Sequence, residues 1–389
     1  KYFATLGNNM NSSNRKELCI WERDTGALHS RSEGFSSTTS ALDWISSGSR
    51  LASVANLDPN GKICRVVFFE RNGLQRGYFD IEGDAGMMIT CVKWNCNGDL
   101  FAVLLKSYVY DAIQIWSFSN YHWYLKQEWR FPKENKINFI WSREDPMQIF
   151  SWTVKGWLRL VRLCWDTAIS KDSIALVIDG SCLLVTPLSQ AVIPPPMSFL
   201  RLKFSAPIQA ISLHRSEEGG NSLAASLSTG MVSILFLPSE EEWDALEGTE
   251  MMIPNGKFLG FSLEEVFPCF RLLSWLDSEH LFGIISRAVP VNPRSSLASE
   301  FQYHVSSESL FEFEVQKKND ELAGDGSCKF YGILTLINQT FTEKSVLAIA
   351  KHPLKPELAI EFEDGSLASY GVIKGLFQDE ASSSLKSLS

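Results

Sequence analysis

Short apolar runs of about five residues recur along the chain and are separated by turns rich in Gly, Asn and Asp. The stretch from Thr90 to Gln127 shows the pattern clearly: one run ends in Trp94, a turn follows at Asn97-Gly98-Asp99, and a second run covers Leu100 to Leu105. A third run ends at Trp116. Gly, Asn and Asp tolerate the positive φ that tight turns need. The pattern therefore predicts strands joined by short turns.

Two series of large aromatic residues repeat with a period near 48 residues. The first advances in steps of 48, 47 and 49 residues and the second in steps of 50 and 47; their members are Trp21, Phe69, Trp116 and Trp165, and Trp44, Trp94 and Trp141. This period matches a four-stranded propeller blade, which cannot bury both faces unless blades pack against each other. We expect the aromatic residues to pack between blades, and an aromatic cofactor cage is the alternative.

The regular spacing weakens after Trp165. A hairpin is predicted over Ser173 to Leu188, with its turn at Asp179-Gly180, and further turns are predicted at Thr229-Gly230 and Asp364-Gly365. Three consecutive prolines at 194–196 cannot donate ladder hydrogen bonds, so they indicate a break in the sheet. A stiff connection between domains is the interpretation, and a PxxP ligand for an aromatic groove is the alternative. The segment from Ser309 to Val315 alternates like a half-buried strand.

Composition supports an all-β class, because 12 Trp and 25 Phe suit pleated, half-buried surfaces. The net charge of -9 lacks the basic character that attracts nucleic-acid phosphates, so any RNA contact would be local. No apolar run approaches the ~18 residues of a membrane span. Eight cysteines occur without a C-x-x-C pair, which argues against a zinc site and a disulfide framework. They predict reduced core thiols in a cytosolic or nuclear protein.

Candidate chemistry is sparse in this sequence. No Gly-rich phosphate loop, nucleophile elbow or H-E-x-x-H helix occurs. His122 lies among aromatic residues and is a candidate ligand or base, although a packed histidine at a blade edge is the simpler interpretation. The acidic runs Glu240–Glu242 and Asp320–Glu321 lack the spacing of a calcium loop and indicate solvated loops. No catalytic, cofactor-binding or metal-binding residue is therefore predicted.

Four unusual strings of sequence resemble the family of the largest Elongator subunit, the IKAP-type scaffold. The resemblance is strong up to about Leu237 and scattered from Val346 to Tyr370, and it rests on VVFFERNGLQRG (66–77), NYHWYLKQ (120–127), VIDGSCLLVT (177–186) and VIPPPM (192–197). It implies a fragment of the N-terminal WD-repeat propeller region. A later helical-repeat region, which carries dimerisation and a basic RNA-contacting segment, is absent from this chain.

The resemblance also implies a function. The family supports modification of the wobble uridine of transfer RNA, while the chemistry belongs to another subunit that combines radical-SAM and acetyltransferase-like domains. The expected role is a non-catalytic scaffold for that subunit and for a second WD-repeat subunit, with transfer RNA reached only through the complex and no membrane contact. A cytoplasmic or nuclear location is expected. A generic WD-repeat adaptor unrelated to transfer RNA, and a propeller hydrolase or lectin with clustered carboxylates or a metal at the ring centre, are the alternatives.

The repeat pattern and the family resemblance predict different domain arrangements. The pattern alone gives about seven units, as in one closed seven-bladed propeller. The resemblance instead places two propellers one after the other in the sequence: the last blades of a first over 1–193, a proline-rich junction at 194–200, and the first blades of a second over 201–377. The Ser-rich, polar tail at 378–389 is expected to be disordered. On this view the segments Lys1 to Trp21 and Val346 to Val372 belong to different propellers and do not pair.

Overall fold

The structure is a computed structural model, and it describes residues 2–8, 15–32, 35–36, 41–56, 62–84, 86–133, 136–154, 158–165, 173–215, 221–237, 243, 245–258, 270–287, 307–319, 330–342, 344–352, 355–371 and 377–379. These are the described residues below. They form two compact units, unit 1 over 2–165 and unit 2 over 173–379. β-Strands dominate both units, which confirms the all-β prediction.

Unit 1 contains four antiparallel sheets in chain order, which we name blades A to D. Their strands are β1 (Tyr2–Asn8), β2 (Arg15–Glu22), β3 (Leu28–Arg31) and β4 (Phe35–Ser36) in blade A; β5 (Leu42–Trp44), β6 (Arg50–Asn56), β7 (Ile63–Glu70) and β8 (Gln75–Glu82) in blade B; β9 (Met88–Trp94), β10 (Leu100–Lys106), β11 (Tyr110–Ser119) and β12 (His122–Pro132) in blade C; and β13 (Asn138–Trp141), β14 (Gln148–Trp152) and β15 (Leu158–Arg162) in blade D.

Blade C shows how the sequence produces one blade. Its strands are ordered β12-β11-β10-β9, so each is hydrogen-bonded to its neighbour in the chain. The first turn places Gly98 at φ 82°, a conformation that a Cβ disfavours. The positive φ confirms the turn predicted at Asn97-Gly98-Asp99. The predicted turns at Gly180, Gly230 and Gly365 are confirmed in the same way, because each of these glycines also has a positive φ. The fourth strand, β12, was not predicted by the pattern.

The blades pack face to face through three hydrophobic clusters, between A and B, B and C, and C and D. Aromatic residues fill these layers: the rings of Phe79 and Trp116, on neighbouring blades, lie 4.6 Å apart. Buried members of the two aromatic series confirm the packing prediction; they are Phe69, Trp94, Trp116 and Trp141. The prediction is wrong for Trp165, which is 61% exposed beyond the last strand of blade D.

Unit 2 contains three sheets. The first, sheet E, combines β16 (Ile174–Asp179), β17 (Cys182–Pro187), β18 (Leu200–Lys203) and β22 (Thr249–Met252); the second, sheet F, combines β19 (Ile208–Arg215), β20 (Asn221–Leu227), β21 (Met231–Leu237), β23 (Lys257–Phe258), β24 (Leu272–Trp275), β25 (His280–Arg287), β26 (Ser307–Asn319) and β27 (Phe330–Thr342); the third, sheet G, combines β28 (Val346–Lys351), β29 (Glu357–Phe362), β30 (Leu367–Gly371) and β31 (Phe377–Asp379).

Sheet F consists of two blade-like groups of strands, β19 to β21 and β24 to β27. The groups are joined where β21 pairs with β27, through two residue pairs. Three hydrophobic clusters hold unit 2 together. The long strand β26 is buried on both faces: Phe311 and Phe313 face one cluster, and Leu310 faces another. The expectation of a half-buried strand at Ser309 to Val315 is therefore wrong, because the adjacent acidic positions Glu308 and Glu312 are also buried.

The division between the units differs from the predicted junction at 194–200. Strand β17 precedes the three prolines and pairs antiparallel with β18, which follows them. The proline stretch is consequently a loop within sheet E of unit 2, and the hairpin β16–β17 belongs to unit 2 as well.

Two further predictions concern the ends of the chain. β1 and β2 belong to blade A of unit 1, and β28 to β30 belong to sheet G of unit 2, as the prediction that the two terminal segments lie in different propellers requires. The predicted disordered tail begins too early, because Gln378 and Asp379 lie in β31 and pair with β30. Residues 380–389 lie outside the described residues.

Candidate interaction surface

His122, the candidate ligand or base, closes the hairpin turn between β11 and β12 opposite Ser119. Its ring packs edge-on against Tyr124, with the ring centroids 4.7 Å apart. The structure therefore places it among aromatic residues at a blade edge. Within the described residues, no group of three or more His, Cys, Asp or Glu side chains could hold a metal ion. The acidic runs Glu240–Glu242 and Asp320–Glu321 lie outside the described residues.

The cysteines have varied surroundings. Cys64 is buried, Cys164 is exposed, and the other described cysteines are half-buried: Cys19, Cys91, Cys96 and Cys182. Burial raises the pKa of the Cys64 and Cys91 thiols, which favours the neutral thiol, the less nucleophilic form. The prediction of core thiols holds for Cys64 and is wrong for Cys164. Cys269 and Cys328 lie outside the described residues.

Asp43 connects blades B and C at the inner end of their first strands. One carboxylate oxygen accepts a hydrogen bond from Lys93 Nζ at 2.8 Å, and the other accepts the backbone N–H of Trp94 at 2.8 Å. The next blade adds an equivalent connection, because Trp141 Nε1 donates to the carbonyl of Lys93 at 3.1 Å. These bonds fix the stagger of successive blades.

A second buried polar network lies in the outer half of the layer between blades B and C. Gln114 donates to Glu128 at 2.6 Å and accepts from Trp116 Nε1 at 3.1 Å. Arg130 donates to the other oxygen of Glu128 at 2.7 Å and lies over the ring of Tyr110. Desolvation raises the pKa of Tyr110 to about 12, so the phenol stays neutral at physiological pH. The network satisfies its members inside the blade.

Glu308 performs a similar role in unit 2. Its carboxylate accepts hydrogen bonds from Arg271 Nη2 at 2.9 and 3.1 Å and from the backbone N–H of Val346 at 2.7 Å. Arg271 also donates to the carbonyl of Val346. Because Val346 begins sheet G, this ion pair joins sheets F and G. Asp43 and Glu308 therefore connect neighbouring sheets, whereas the Glu128 network lies within blade C.

Glu312 lies four residues further along β26 in the same layer. Tyr370 of sheet G donates to one carboxylate oxygen at 3.2 Å, and Asn338 donates to the phenol oxygen at 2.7 Å. The other oxygen, Oε1, has no hydrogen-bond partner within the described residues. Burial raises the pKa of the Glu312 carboxyl, which favours its neutral form.

The turn between β11 and β12 presents an exposed aromatic residue in a strained conformation. Asn120 and Tyr121 are its two central residues, with φ of 50° and 59°, as a type I′ turn requires. The corresponding turns of blades A and B are longer, and their last residue, also left-handed, is Gly26 and Gly73, at steps of 47 and 48 residues. Tyr121 is 99% exposed. A tyrosine therefore replaces the glycine of its neighbours and gains no burial.

Two side chains near this turn complete a surface that we name the Tyr121 patch: Arg50, Phe118 and Tyr121. Phe118 is the penultimate residue of β11 and is 44% exposed. Arg50 begins β6 of blade B, and its guanidinium carbon lies 5.9 Å from the centroid of the Phe118 ring. The pattern of apolar and polar positions does not predict a surface formed by these three residues. Comparison of the turn positions between repeats would have shown Tyr121 where Gly26 and Gly73 stand.

A second exposed surface is the outer face of blade D. Its large residues share one side of the sheet through the cross-strand pairs Ile140–Phe150, Phe150–Leu160 and Trp152–Leu158. At a spacing of 47 or 48 residues, Phe150, Trp152 and Leu160 correspond to Ala102, Leu104 and Ile113, which are buried between blades C and D. The outer face of blade D thus has the chemistry of a layer between blades.

Antiparallel sheets that pack face to face, with aromatic residues between them at a regular period, define a β-propeller protein. Two family models match the chain: the ELP1 first N-terminal beta-propeller over residues 1–146 and the ELP1 N-terminal second beta-propeller over residues 177–387. The chain therefore belongs to the Elongator complex protein 1 family, and the resemblance stated from the sequence is confirmed. The matches also confirm the assignment to parts of two propellers.

Relatives in plants, animals and fungi share this similarity. Elongator complex protein 1 of Arabidopsis thaliana is 36% identical over 375 residues, which is 95% of this chain and 28% of that protein. The proteins of Oryctolagus cuniculus and Saccharomyces cerevisiae are each 30% identical, over 91% and 59% of this chain and 27% and 17% of their own lengths. The chain thus spans about a quarter of the length of the first of these relatives.

Among solved structures, the β-propeller domain of Cps50 (Swd1) from Myceliophteria thermophila is 12% identical, with a TM-score of 0.28, and the match covers 94% of this chain and 97% of that one. The family assignment does not depend on it. Within the described residues, no helix is long and apolar enough to cross a membrane.

Proposed function

We propose that this chain is a non-catalytic scaffold segment of an Elongator-type assembly that supports modification of the wobble uridine of transfer RNA. The observation that carries the proposal is the match of both units to the two Elongator complex protein 1 propellers. The reaction itself would belong to a different subunit, with radical-SAM and acetyltransferase-like domains. The chain would hold that subunit and a second WD-repeat subunit in one assembly.

The polar groups of the structure support a scaffold role. Asp43, Glu128 and Glu308 are each engaged by cationic or backbone donors of the same unit. Buried groups that are satisfied in this way rigidify a fold and have no free oxygen for substrate. Rigid blades present surface residues in fixed positions, which is what an assembly platform requires.

Contact with transfer RNA would be indirect. The chain carries a net charge of -9, whereas nucleic-acid binding depends on neutralising several phosphates with Lys and Arg. We propose that transfer RNA reaches the assembly through other subunits, in the cytoplasm or the nucleus. A generic WD-repeat adaptor would share the fold but not this assembly.

The experiment uses the complete protein, tagged and expressed in cells that lack their own copy. We expect it to co-purify with the catalytic and second WD-repeat subunits and to restore modified wobble uridines, measured by mass spectrometry of digested transfer RNA. A matched variant, Ile113→Asp, buries a charge in blade C and should fail in both respects. Normal wobble modification in cells without the protein, or co-purification only with unrelated proteins, would reject the proposal in favour of the adaptor.

A further inference from the structure

We propose that the Tyr121 patch anchors a protein segment in which a carboxylate side chain lies next to an apolar side chain. The inference rests on the proposed scaffold function, because the partner would be another subunit of the same assembly. It adds the place of contact and the chemistry of the partner.

The first argument is the conformation of Tyr121. Only glycine adopts positive φ without a steric penalty, and strained residues of this kind cluster at functional sites. Blades A and B use Gly26 and Gly73 as the last residue of the corresponding turn. Within the described residues, Tyr121 forms no hydrogen bond or ring contact that would compensate for the strain, and its side chain is almost fully exposed. Folding of the blade alone therefore gives no reason for a tyrosine here.

The second argument is the state of Arg50. Its cross-strand neighbour is Glu70, whose carboxylate is already engaged by Arg76 Nε at 3.0 Å and by Asn72 Nδ2 at 3.2 Å. No ion pair within the described residues uses Arg50. Its guanidinium instead lies over the rings of Phe68 and Phe118, at 5.7 and 5.9 Å from the centroids. Ring contacts of this kind hold the guanidinium in place and leave its N–H donors available.

The residue types define the partner. Tyr and Arg dominate the energetically important positions of protein interfaces, and Phe is enriched there. A fixed guanidinium with free donors matches a carboxylate, which it can bind through two parallel hydrogen bonds. Phe118 supplies apolar contact beside the guanidinium, and Tyr121 adds an exposed ring in the turn that follows β11. A nucleic-acid strand fits less well, because Asp99, in the turn that joins β9 to β10, places a carboxylate at the same end of blade C.

The first experiment places a photo-crosslinking phenylalanine analogue at position 121 of the complete protein in its assembly. We expect one major cross-linked peptide, from another protein subunit, with Asp or Glu adjacent to an apolar residue. The control position is Tyr108, which is 80% exposed in the turn at the opposite end of blade C. Cross-links to RNA or to a second copy of this chain would overturn the proposal, and so would no cross-link in an assembly that co-purifies normally. Loss of co-purification by the unlabelled parent protein would count against the proposed function instead.

The second experiment measures affinity of the complete protein for the purified subunit identified by that cross-link. Tyr121→Gly restores the residue type of blades A and B, so we expect an unchanged or higher unfolding midpoint together with at least tenfold weaker binding. Arg50→Glu should weaken binding by a similar factor. Replacing the acidic residue of the partner's cross-linked peptide by Arg should then restore the binding of the Arg50→Glu variant. Tyr108→Ala should leave the affinity unchanged. Binding by Tyr121→Gly within twofold of the parent protein, or a lowered unfolding midpoint, would overturn the proposal.

Discussion

At the scale of single residues, two glutamates on β26 show how much depends on the second partner of a buried charge. Glu308 and Glu312 lie on the same face of one strand and are equally buried. Glu308 is engaged by a guanidinium and a backbone N–H, whereas Glu312 accepts one hydrogen bond from a phenol. Removing the cation beside Glu308 should therefore lower the stability of unit 2, whereas removing the ionisable group of Glu312 should raise that stability at alkaline pH.

Arg271→Ala should destabilise unit 2 strongly. The substitution leaves the Glu308 carboxylate buried without its cation, and because the Arg271 side chain is itself 39% exposed we expect a cost of about 1.5–3 kcal/mol. Urea denaturation followed by fluorescence would measure the loss. The matched control is Arg76→Ala, which breaks the exposed pair with Glu70 and should cost under about 1 kcal/mol. Equal losses in the two variants would show that Arg271 does not compensate a buried charge.

Glu312→Gln should make the stability of unit 2 less dependent on pH. Burial raises the pKa of Glu312 in the folded state above its unfolded value, so ionisation is harder in the folded protein. The stability of the parent protein is then highest below the unfolded pKa and falls as pH rises through the folded pKa. We expect the variant to match the parent at acid pH, where the carboxyl is neutral in both states, and to be more stable than the parent at alkaline pH.

Glu314→Gln on the same strand is the control for this pH series, because that side chain is only half-buried. Denaturation at a series of pH values would supply the comparison. A variant that is less stable than the parent at the higher pH would mean that the ionised carboxylate is favoured in the folded state.

At the scale of strands and blades, equivalent positions allow one substitution to be compared in two environments. Ile113 of blade C and Leu160 of blade D occupy the same place in the repeat, but the first is 0% exposed and the second 52% exposed. Ile113→Asp should prevent unit 1 from folding, whereas Leu160→Asp should change its stability by less than about 0.5 kcal/mol. Circular dichroism and thermal melts of this 389-residue chain would separate the outcomes. A collapse of unit 1 on Leu160→Asp would show that the outer face of blade D is covered.

The sequence predicts the strands whose apolar runs are uninterrupted and the turns that contain glycine. It does not reveal β12, because Lys126, Gln127, Glu128 and Arg130 interrupt the apolar pattern of that strand. Glu128 can be buried there because Gln114 and Arg130 are hydrogen-bonded to it, and neither partner is visible in a linear sequence. The burial of both faces of β26 is hidden for the same reason: the partners of its buried glutamates are distant in the sequence, and the alternating pattern alone indicates an exposed face.

The Tyr121 patch shows a different limit. The backbone strain at Tyr121 can be predicted from the sequence, because the repeat period aligns Tyr121 with Gly26 and Gly73. The contribution of Arg50 cannot be predicted in this way, since Arg50 lies in another blade and reaches Phe118 only after the two blades pack.

At the scale of the whole molecule, each hydrophobic cluster draws its residues from one unit, with three clusters in each. We expect two separate unfolding transitions in calorimetry. Phe101→Ala should lower only the transition of unit 1, and Phe282→Ala only that of unit 2, each by about 3–5 kcal/mol of stability. A shift of both transitions by either variant would show that the units unfold as one.

The boundary between the units was misplaced for a physical reason. Three prolines cannot continue a strand, so in the sequence they indicate the end of a domain. A loop between two paired strands has the same requirement, and the pairing of β17 with β18 depends on residues on both sides of the prolines. Local chain stiffness therefore locates a break in a strand without locating a break between domains.

The outer face of blade D also gives the protein an optical property. Among the described tryptophans, Trp152 and Trp165 are the ones more than a third exposed, and both belong to the last blade of unit 1 and the segment directly after it. Iodide should quench their long-wavelength emission and leave the buried indoles of Trp94, Trp116 and Trp141 bright. Any molecule that covers this face would shift the emission of Trp152 towards the blue and protect it from iodide, so its arrival could be followed in real time without an attached label.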